Sequence, residues 1–362
     1  MQGKILPYII FLGVAILFTV LINGLFLKFS RTLGVRNPDT AQSRWNANIR
    51  PSLGGISFFI VFLISFAAYA IIDREDVVRN IELLGFLLAA TIGFLIGLAD
   101  DAYDTKPFMK FLGQLTVAST LIATGTYIHI FEIDTLNYLI TVIWVVGLMN
   151  SVNMLDNMDS ITTSVSIFIL IPPIVFHLIY NGIESSLFII YIGIIASLIG
   201  FLYHNWNPAK MFMGDTGSQF LGAVLAGIGI QFFWNHPDIP ADSMHIKQFL
   251  LAITAFSIPI ADTTTVVINR LLRKQSPFVG GKDHTTHCLG YLGFSDRSVA
   301  WIFIGISAIN AVATILIVSI SKWTTFHTLA FLFLPVATFL SLFYISRKVR
   351  HHCVQQESQK IN

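Results

Sequence analysis

The sequence predicts an all-α, polytopic integral membrane protein with about eleven transmembrane helices, and three observations support this fold class. Of the 362 residues, 54% are hydrophobic and only 12% are charged, whereas an ordinary soluble domain has about 25% charged residues. Apolar segments long enough to cross a bilayer recur along the whole chain. The basic residues concentrate in alternate connecting loops, which is typical of a chain that crosses the membrane many times.

The predicted spans each contain roughly 20 mainly apolar residues. The first follows Lys4 and is too long for the apolar core of a signal peptide. In chain order the predicted spans are 5–27, 53–72, 81–99, 109–130, 137–154, 161–180, 185–204, 217–234, 246–268, 299–320 and 325–346. These spans predict a single transmembrane catalytic domain over residues 1–346, followed by a short basic tail over residues 347–362.

The distribution of positive charge predicts the orientation. Eleven crossings place the two termini on opposite sides of the membrane. Seventeen of the 22 Lys and Arg residues fall on the side of the C-terminus. The basic residues on the other side are Lys4, Arg74, Arg79, Lys247 and Lys322. Because cytoplasmic loops carry the excess of Lys and Arg, the C-terminal side is predicted to be cytoplasmic.

Four polar motifs fall on this same cytoplasmic side. They are DDAYD (100–104), NSVNMLDNMD (150–159), FMGDTGS (212–218) and GKDHTTH (281–287). The orientation was assigned from Lys and Arg alone, so the placement of these acids and histidines is a separate observation. It predicts that the four motifs form one site. The two cysteines, Cys288 and Cys353, form neither a disulfide framework nor a zinc site.

The first motif places three carboxylates, Asp100, Asp101 and Asp104, at the end of the third span. Three acids this close repel one another unless a cation lies between them, and oxygen ligands suit Mg²⁺. The alternative is a solvated acidic loop end. We favour the functional interpretation because acids beside a bilayer are costly and usually functional.

The second motif repeats a polar residue every three positions, at Asn150, Asn153, Asp156 and Asp159. On a helix these residues form one polar stripe that suits a nucleotide or adds metal ligands. The alternative is helix capping, for which Asn and Asp are common.

In the third motif two glycines flank Asp215 just before a predicted helix. The N-terminus of that helix offers free N–H groups to phosphate oxygens, and Asp215 is a candidate ligand for a metal that bridges those oxygens. The alternative is that Asp215 only caps the eighth helix.

The fourth motif lies in a long basic loop, where cations such as Lys282 suit a pyrophosphate or a lipid phosphate. Topology alone would also explain the basic residues. His284 and His287 suit a leaving phosphate or proton transfer, and their different roles stay open.

Three other features come from outside the four motifs. Asp262 falls within the ninth span, where an acid needs a partner or a role, and we expect the neighbouring residues 263–265, all threonines, to solvate it. Lys110 suits either the site or a snorkelling position at the interface. The isolated histidines, which we interpret as structural, are His129, His177 and His204.

In this order, the four motifs resemble the polyprenyl-phosphate N-acetylhexosamine-1-phosphate transferases. The segments PSLGG (51–55), KFLGQ (110–114) and IADT (260–263) extend the resemblance, which covers residues 36–289. It implies an eleven-helix fold in the bacterial inner membrane and a cytoplasmic active site. It also implies transfer of an N-acetylhexosamine-1-phosphate from a UDP-sugar to undecaprenyl phosphate, with UMP released. Mg²⁺ is the implied cofactor, with Mn²⁺ as a substitute.

The resemblance also implies roles for individual residues. Asp100, Asp101 and His284 are the expected catalytic residues, and Asp101 and Asp215 the expected metal ligands. Together with the residues that the motifs themselves suggest, namely Asn153, Asp262, Lys282 and His287, the expected substrate-binding residues are Lys110, Asp156, Asp159, Asn205 and Phe212.

UDP-N-acetylglucosamine is the first choice of donor, and the motifs look most like the branch that starts O-antigen, enterobacterial common antigen or teichoic-acid linkage units. Another UDP-N-acetylhexosamine, or UDP-N-acetylmuramoyl-pentapeptide, is the alternative donor, and a homodimer is a further expectation. Secondary transport is the alternative function. We disfavour it because transporters place their sites near the midplane and are built from inverted repeats, whereas these acids lie at one face.

Overall fold

The computed structural model describes residues 2–30, 50–181, 185–236, 246–276 and 281–361, and the regular structure within these ranges is helical. The α-helices are α1 (Gln2–Ser30), α2 (Gly54–Ile72), α3 (Arg74–Arg79), α4 (Ile81–Tyr103), α5 (Pro107–Ala123), α6 (Asp134–Leu155), α7 (Ile161–Phe176), α8 (Ser186–Asn205), α9 (Gly214–Ile228), α10 (Ile246–Ala255), α11 (Ser257–Leu272), α12 (Thr285–Tyr291), α13 (Asp296–Ser319) and α14 (Thr325–Ile361). The all-α membrane fold is therefore confirmed. Arg31, Arg36 and Arg44, which entered the charge count, lie outside the described residues.

Nine helices of the described chain are long and apolar enough to cross a membrane, and α10 with α11 makes a tenth, bent span. The remaining predicted span, 109–130, corresponds to α5, which has 17 residues. The C-terminal ends of α4 and α6 meet at the polar site described below, so the chain must return across the bundle between them. The helix that makes this return is α5, which packs against both.

The predicted span 246–268 is wrong as a single straight helix. It breaks between α10 and α11, whose axes meet at 78°. Pro259 lies two residues after the first residue of α11. It has no N–H to donate to the carbonyl of Ala255, and its ring clashes with that carbonyl. The break turns α11, which carries Asp262, toward the polar site.

Two spans end in π-helical turns at the face opposite the polar motifs. α7 continues as the π-helix His177–Asn181, and α9 continues as the π-helix Gly229–Trp234. A π turn adds a residue to the helical repeat and is found mostly as a short bulge, frequently at functional sites.

Helix α9 is the centre of the fold. In its most apolar stretch 94% of the residues are buried, compared with 11% in the most apolar stretch of α1 at the periphery. It packs against α2, α4 and α6. At depth in the bundle, Gln114 of α5 donates to Asn150 of α6 at 3.2 Å and to Gln219 of α9 at 3.1 Å. This amide network fixes three helices around one axis.

Candidate active site

The predicted motifs converge where α4 and α6 end and where α5 and α9 begin. Asp100, Lys110, Asn153 and Asp215 come from these four helix ends, and each is within hydrogen-bond or ion-pair reach of at least one other. The sequence separation between the first and last of them exceeds one hundred residues. The prediction of one shared site at one face of the bundle therefore agrees with the geometry.

Asp101 holds the N-terminus of α9. Its Oδ1 accepts the backbone N–H of Asp215 at 3.1 Å, and its Oδ2 accepts the backbone N–H and the hydroxyl of Thr216 at 2.8 and 2.7 Å. Two of the N–H groups that the sequence offered to a phosphate are thus bound by a carboxylate of the protein. The helix terminus favours a negative charge, and here that charge comes from α4.

Glycines make this contact possible. A Cβ at Gly97, one turn before Asp101, would overlap the carbonyl oxygen of Asp215, and a Cβ at Gly55 would overlap the backbone nitrogen of Gly217. Gly214 has φ +73°, a conformation that L side chains rarely adopt. The glycines of PSLGG and FMGDTGS therefore serve the close approach of α2, α4 and α9 around Asp215.

Lys110 lies between two carboxylates. Its Nζ is 2.7 Å from Asp100 Oδ2 and 3.8 Å from Asp215 Oδ2. The other oxygen of Asp100 accepts the N–H and hydroxyl of Thr105. The interpretation of Lys110 as a snorkelling residue is wrong, because a snorkelling ammonium points to bulk water, whereas this one is held inside the cluster.

Two residues of the polar stripe predicted on α6, Asn153 and Asp156, have different surroundings. Asn153 donates to Asp215 Oδ1 and to the Ser218 hydroxyl, so it orients the central acid. Asp156 follows the last residue of α6 and retains part of its surface exposed. Crowding by protein atoms, together with the charges of Asp215, Asp101 and Asp159, raises the pKa of Asp156 to about 8. The described site thus has an excess of negative charge around Asp156.

Asp159 is occupied by protein partners. It accepts two bonds from Arg50 at 3.3 Å and one from the backbone N–H of Ala209 at 2.8 Å. The guanidinium of Arg50 also lies over the ring of Phe212, 5.5 Å from its centroid. In the sequence analysis Arg50 was only one of the basic residues used to assign the orientation. Here it joins Phe212 to Asp159, at the edge of the site.

The side chain of Asn205 is buried and joins two segments of the chain by hydrogen bonds. Its Oδ1 accepts the N–H of Ser160 at 2.9 Å and the hydroxyl of Thr163 at 3.1 Å, and its Nδ2 donates to the carbonyl of Met211 at 3.0 Å. The amide makes these three hydrogen bonds, and only 3% of the residue is exposed. Its side chain therefore does not face an open site in this structure. It holds the start of α7 and the segment before α9.

Asp262 is fully buried, and its partners come from the last motif. Its Oδ1 accepts the N–H of Thr285 at 2.8 Å and the Thr285 hydroxyl at 2.6 Å, and its Oδ2 lies 3.0 Å from His284 Nδ1. The expectation that residues 263–265 solvate this acid is wrong, because the hydroxyls of Thr263 and Thr265 are buried without a partner among the described residues. Asp262 instead fixes the ring of His284, whose Nδ1 donates its proton to the carboxylate.

Two arginines at the C-terminal end of α11 are bound by one acid of the last motif. Asp283 accepts a bidentate pair from Arg270 at 3.0 and 2.7 Å and a third bond from Arg273 at 2.6 Å. Burial raises the pKa of Asp283, but these guanidinium groups outweigh it and lower the pKa to about 2. Burial and the charges of His284 and Lys282 lower the pKa of His287.

A direct bond connects this loop to the segment after α6, because the Thr286 hydroxyl donates to Asn157 Oδ1. His284 and the acidic cluster are thereby parts of one assembly. Asp283, Thr286 and Asn157 were not predicted as site residues. The sequence offered one signal, since all three stand within predicted motifs.

The donor chemistry fits a divalent ion bound together with a substrate. Within the part of the chain that the structure describes, no three His, Cys, Asp or Glu side chains form a ready metal site. Mg²⁺ is usually held by one or two carboxylates plus substrate phosphates and water. Asp215, Asp100 and Asp101 supply carboxylates of this kind. Burial is the main cause of the raised pKa of Asp156, and the charges of Asp215, Asp101 and Asp159 add to it; a cation would offset these charges.

Comparison with known proteins identifies one group of relatives. Residues 83–233 match the family model described as Glycosyl transferase family 4. The chain is 27% identical to a probable undecaprenyl-phosphate N-acetylglucosaminyl 1-phosphate transferase of Bacillus subtilis (strain 168), over 88% of this chain and 86% of the relative. It is 32% identical to a phospho-N-acetylmuramoyl-pentapeptide-transferase of Staphylococcus carnosus (strain TM300), over 82% of this chain and 94% of the relative. A decaprenyl-phosphate N-acetylglucosaminephosphotransferase of Mycobacterium leprae (strain TN) is 27% identical, over 73% of each chain.

Proposed function

Because this chain belongs to the polyprenyl-phosphate N-acetylhexosamine-1-phosphate transferases of glycosyl transferase family 4, we propose that it transfers N-acetylglucosamine-1-phosphate from UDP-N-acetylglucosamine to undecaprenyl phosphate and releases UMP. This is the first membrane step of a cell-envelope glycan. The observation that carries the proposal is the joining of Asp100, Lys110 and Asp215 at one face of a membrane bundle. This cluster suits a pyrophosphate at the end of a nucleotide.

The reaction is a single in-line displacement. An oxygen of the lipid phosphate attacks the phosphorus that carries the sugar, the bond from that phosphorus to the UMP oxygen breaks, and UMP leaves with the electron pair. A phosphate monoester has a second pKa of about 6, so the attacking phosphate is mostly dianionic at neutral pH and needs little help from a base. Catalysis is then mostly positioning and electrostatics.

The residues of the cluster perform this positioning. Lys110 donates to a phosphate oxygen of the substrate, and Asp100, 2.7 Å from its Nζ, positions the ammonium group. Asp101 keeps α9 in place, and Asn153 aims Asp215. Asp262 accepts the Nδ1–H of His284, which leaves Nε2 of that ring to accept a proton from a phosphate group. Asp215 and one of Asp100 or Asp101 would hold Mg²⁺, or Mn²⁺ in its place, and the ion would neutralise part of the charge of the pyrophosphate and of UMP.

A second donor has support from one comparison. The relative from Staphylococcus carnosus is named for phospho-N-acetylmuramoyl-pentapeptide, and its identity to this chain, 32%, exceeds the 27% of the relatives named for N-acetylglucosamine. UDP-N-acetylmuramoyl-pentapeptide is therefore the second candidate, before other UDP-N-acetylhexosamines. A screen of donors at fixed undecaprenyl phosphate, with UMP release as the signal, ranks them by kcat/KM.

The test of the reaction is UMP release by purified protein given UDP-N-acetylglucosamine, undecaprenyl phosphate and Mg²⁺. We expect Asp215→Asn to lose activity by about 10²-fold or more, as for a residue that acts on developing charge. Asp104→Asn is the matched control, because Asp104 is exposed and Asn tolerates its left-handed backbone. No UMP from any UDP-amino sugar, or equal rates for both variants, would reject the proposal.

We place the protein in the cytoplasmic membrane of a bacterium, with the acidic site and the C-terminal tail on the cytoplasmic side. The distribution of Lys and Arg supports this orientation, and UDP-sugars are the cytoplasmic donors that the reaction requires. A homodimer remains part of the proposal.

A further inference from the structure

The side chain of Arg50 lies between two residues at the edge of the acidic site. Its Nη1 is 3.3 Å from each carboxylate oxygen of Asp159. The centre of its guanidinium group lies over the ring of Phe212, 5.5 Å from the ring centroid, and a cation within about 6 Å of an aromatic face is attracted to it. Asp159 thus holds a planar cation against one face of Phe212.

The backbone beside Arg50 is fixed without the Arg50 side chain. Phe212 donates its N–H to the carbonyl of Pro51 at 3.0 Å, and its carbonyl accepts the N–H of Gly54 at 3.1 Å. These two bonds join the segment before α9 to the start of α2 and use no side chain. The guanidinium of Arg50 is therefore not needed to hold the two segments together. What it adds is a contact with the ring of Phe212.

Asp159 is anchored from a second direction. Its Oδ2 accepts the backbone N–H of Ala209 at 2.8 Å and the side-chain N–H of Asn207 at 3.3 Å. The side chains of Arg50 and Asp159 are 23% and 13% exposed, and partly buried ion pairs are screened less than exposed ones. An anchored carboxylate gives the guanidinium one preferred position, so Asp159 supports Arg50 from behind the ring.

The ring of Phe212 retains exposed surface beside the acidic cluster. Phe212 is half-buried, and it is not among the described apolar side chains that pack against the buried core. Arg50 covers one face, which leaves the edges and the other face of the ring. Phe212 precedes Asp215 by three residues. A nucleotide whose pyrophosphate lies at Asp215 therefore brings its base near an aromatic surface, and nucleobases stack on aromatic side chains.

We propose that Arg50 is a positioning residue for the nucleotide, because it keeps the Phe212 ring in place as the surface on which the uracil base of the donor stacks. This inference rests on the proposed function, which supplies the nucleotide. A group that is held in its binding orientation before the ligand arrives lowers the cost of binding. Since Arg50 acts through the ring and not on the reacting phosphorus, its loss should weaken binding and leave the chemical step unchanged.

Arg50→Met tests the proposal, because Met fills part of the same space but has neither the charge nor the plane of the guanidinium. We expect the KM for UDP-N-acetylglucosamine and the Kd for UMP to rise by about 3- to 10-fold, with kcat within about twofold of the wild type. Arg50→Lys keeps the charge but lacks the plane, and should fall between the two. Rates of UMP release at saturating undecaprenyl phosphate give KM and kcat, and calorimetry with UMP and Mg²⁺ in the absence of acceptor gives Kd.

The matched control is Arg347→Met. Arg347 is exposed on α14, on the same side of the membrane by the predicted orientation, and the variant removes the same charge. It should bind UMP as the wild type does. A general loss of positive charge at this face would weaken binding in both variants.

Two double variants separate a positioning role from direct contact. Phe212→Leu removes the ring and should itself weaken UMP binding by about 10-fold. Adding Arg50→Met to it should cause no further loss, because residues that act as one unit are not additive. Asp159→Asn keeps an acceptor for the N–H of Ala209, and its effect on the Kd for UMP should likewise not add to that of Arg50→Met.

Three outcomes would overturn the proposal. The first is an unchanged KM and Kd in Arg50→Met, or an equal rise in Arg347→Met. The second is additive losses in Arg50→Met/Phe212→Leu, which would mean that Arg50 contacts the nucleotide itself. The third is a fall in kcat at unchanged KM, which would assign Arg50 to the chemical step. Absence of UMP binding to the wild type would instead reject the proposed function and this inference with it, whereas a wild type that binds UMP no better than Arg50→Met rejects the inference alone.

Discussion

Asp101 and Asp262 show how single residues build this site from a distance. Each is an acid on a spanning helix that accepts hydrogen bonds from the first residues of another helix, α9 for Asp101 and α12 for Asp262. Each thereby fixes a second functional residue, Asp215 or His284. The sequence predicted a direct role for both acids. It could not predict the anchoring, because the bonded residues are separated by 115 and 23 positions.

At this scale the first prediction concerns Asp262→Asn. An amide has an N–H where the carboxylate has its second oxygen, so it would face His284 Nδ1 with a donor and reverse the tautomer. If Nε2 of His284 handles a phosphate proton, kcat should fall by about 10²-fold or more, and the pH profile of kcat should change. Steady-state rates of UMP release between pH 5 and 9 measure both effects.

The double variant Asp262→Asn/His284→Gln separates this role from a loss of folding. Residues that act as one unit are not additive, so the double variant should be no slower than His284→Gln alone. Additive losses in the double variant, or a wild-type pH profile in Asp262→Asn, would contradict the orientation of His284 by Asp262.

The second prediction concerns Asp101→Ala. The change leaves the N–H groups of Asp215 and Thr216 and the Thr216 hydroxyl without their partner. Bonds to a charged group contribute about 1.5–3 kcal/mol, so unfolding in detergent should need less heat or denaturant by about that amount. Asp104→Asn, at the exposed residue that follows the end of α4, measures the cost of losing an acid without such bonds, and Asn keeps the left-handed backbone. Equal stability of the two variants would remove Asp101 as the anchor of α9.

At the scale of elements, packing between α4 and α9 depends on Gly97. A methyl group there would overlap the carbonyl oxygen of Asp215, and overpacking costs about 1–3 kcal/mol. Gly97→Ala should therefore lower both the unfolding temperature and the rate of UMP release, because the displaced carbonyl belongs to a site residue. Gly147→Ala in α6 is the control, since nothing lies within 4 Å of the position that its methyl group would take. If Gly97→Ala were as stable and active as Gly147→Ala, α4 and α9 would be able to move apart enough to accept a methyl group at this position.

The helices show which structural features the apolar segments of the sequence could predict and which they could not. Length and composition predicted the spans well, because the bilayer imposes them. They did not predict the break before α11, since Pro259 at the start of a helix is compatible with either a kink or a straight span. They did not predict the two π turns, because one added residue leaves the apolar pattern almost unchanged. As a result His177 was interpreted as structural, although it opens a π turn beside a cavity.

At the scale of the whole molecule, acid stability should depend on Asp283. Its pKa is about 2 in the folded protein and 3.8 in an unfolded chain, so it favours folding above pH 4, and this contribution disappears as the pH falls toward 2. The shift corresponds to about 2 kcal/mol. Asp283→Asn should therefore be less stable than the wild type by about that amount at pH 6, and equally stable near pH 2. Unfolding by denaturant at both pH values measures the difference, with Asp104→Asn followed in parallel to report the general effect of acid. A difference between wild type and Asp283→Asn that is the same at both pH values would contradict the pairing with Arg270 and Arg273.

The orientation of the bundle is the last prediction, and single cysteines test it. In a Cys288→Ala/Cys353→Ser background that retains UMP release, Lys322→Cys and Arg297→Cys place one thiol at each end of α13, and both positions are exposed. Since Asn207, beside Arg297, lies within bonding distance of Asp159, that end belongs to the acidic site. A membrane-impermeant maleimide added to intact cells should label Lys322→Cys and should label Arg297→Cys only after the cells are opened. The reverse pattern would place the acidic site outside the cell, away from nucleotide sugars, and would contradict both the orientation and the proposed reaction. Labelling of both positions in intact cells would show that α13 does not cross the membrane.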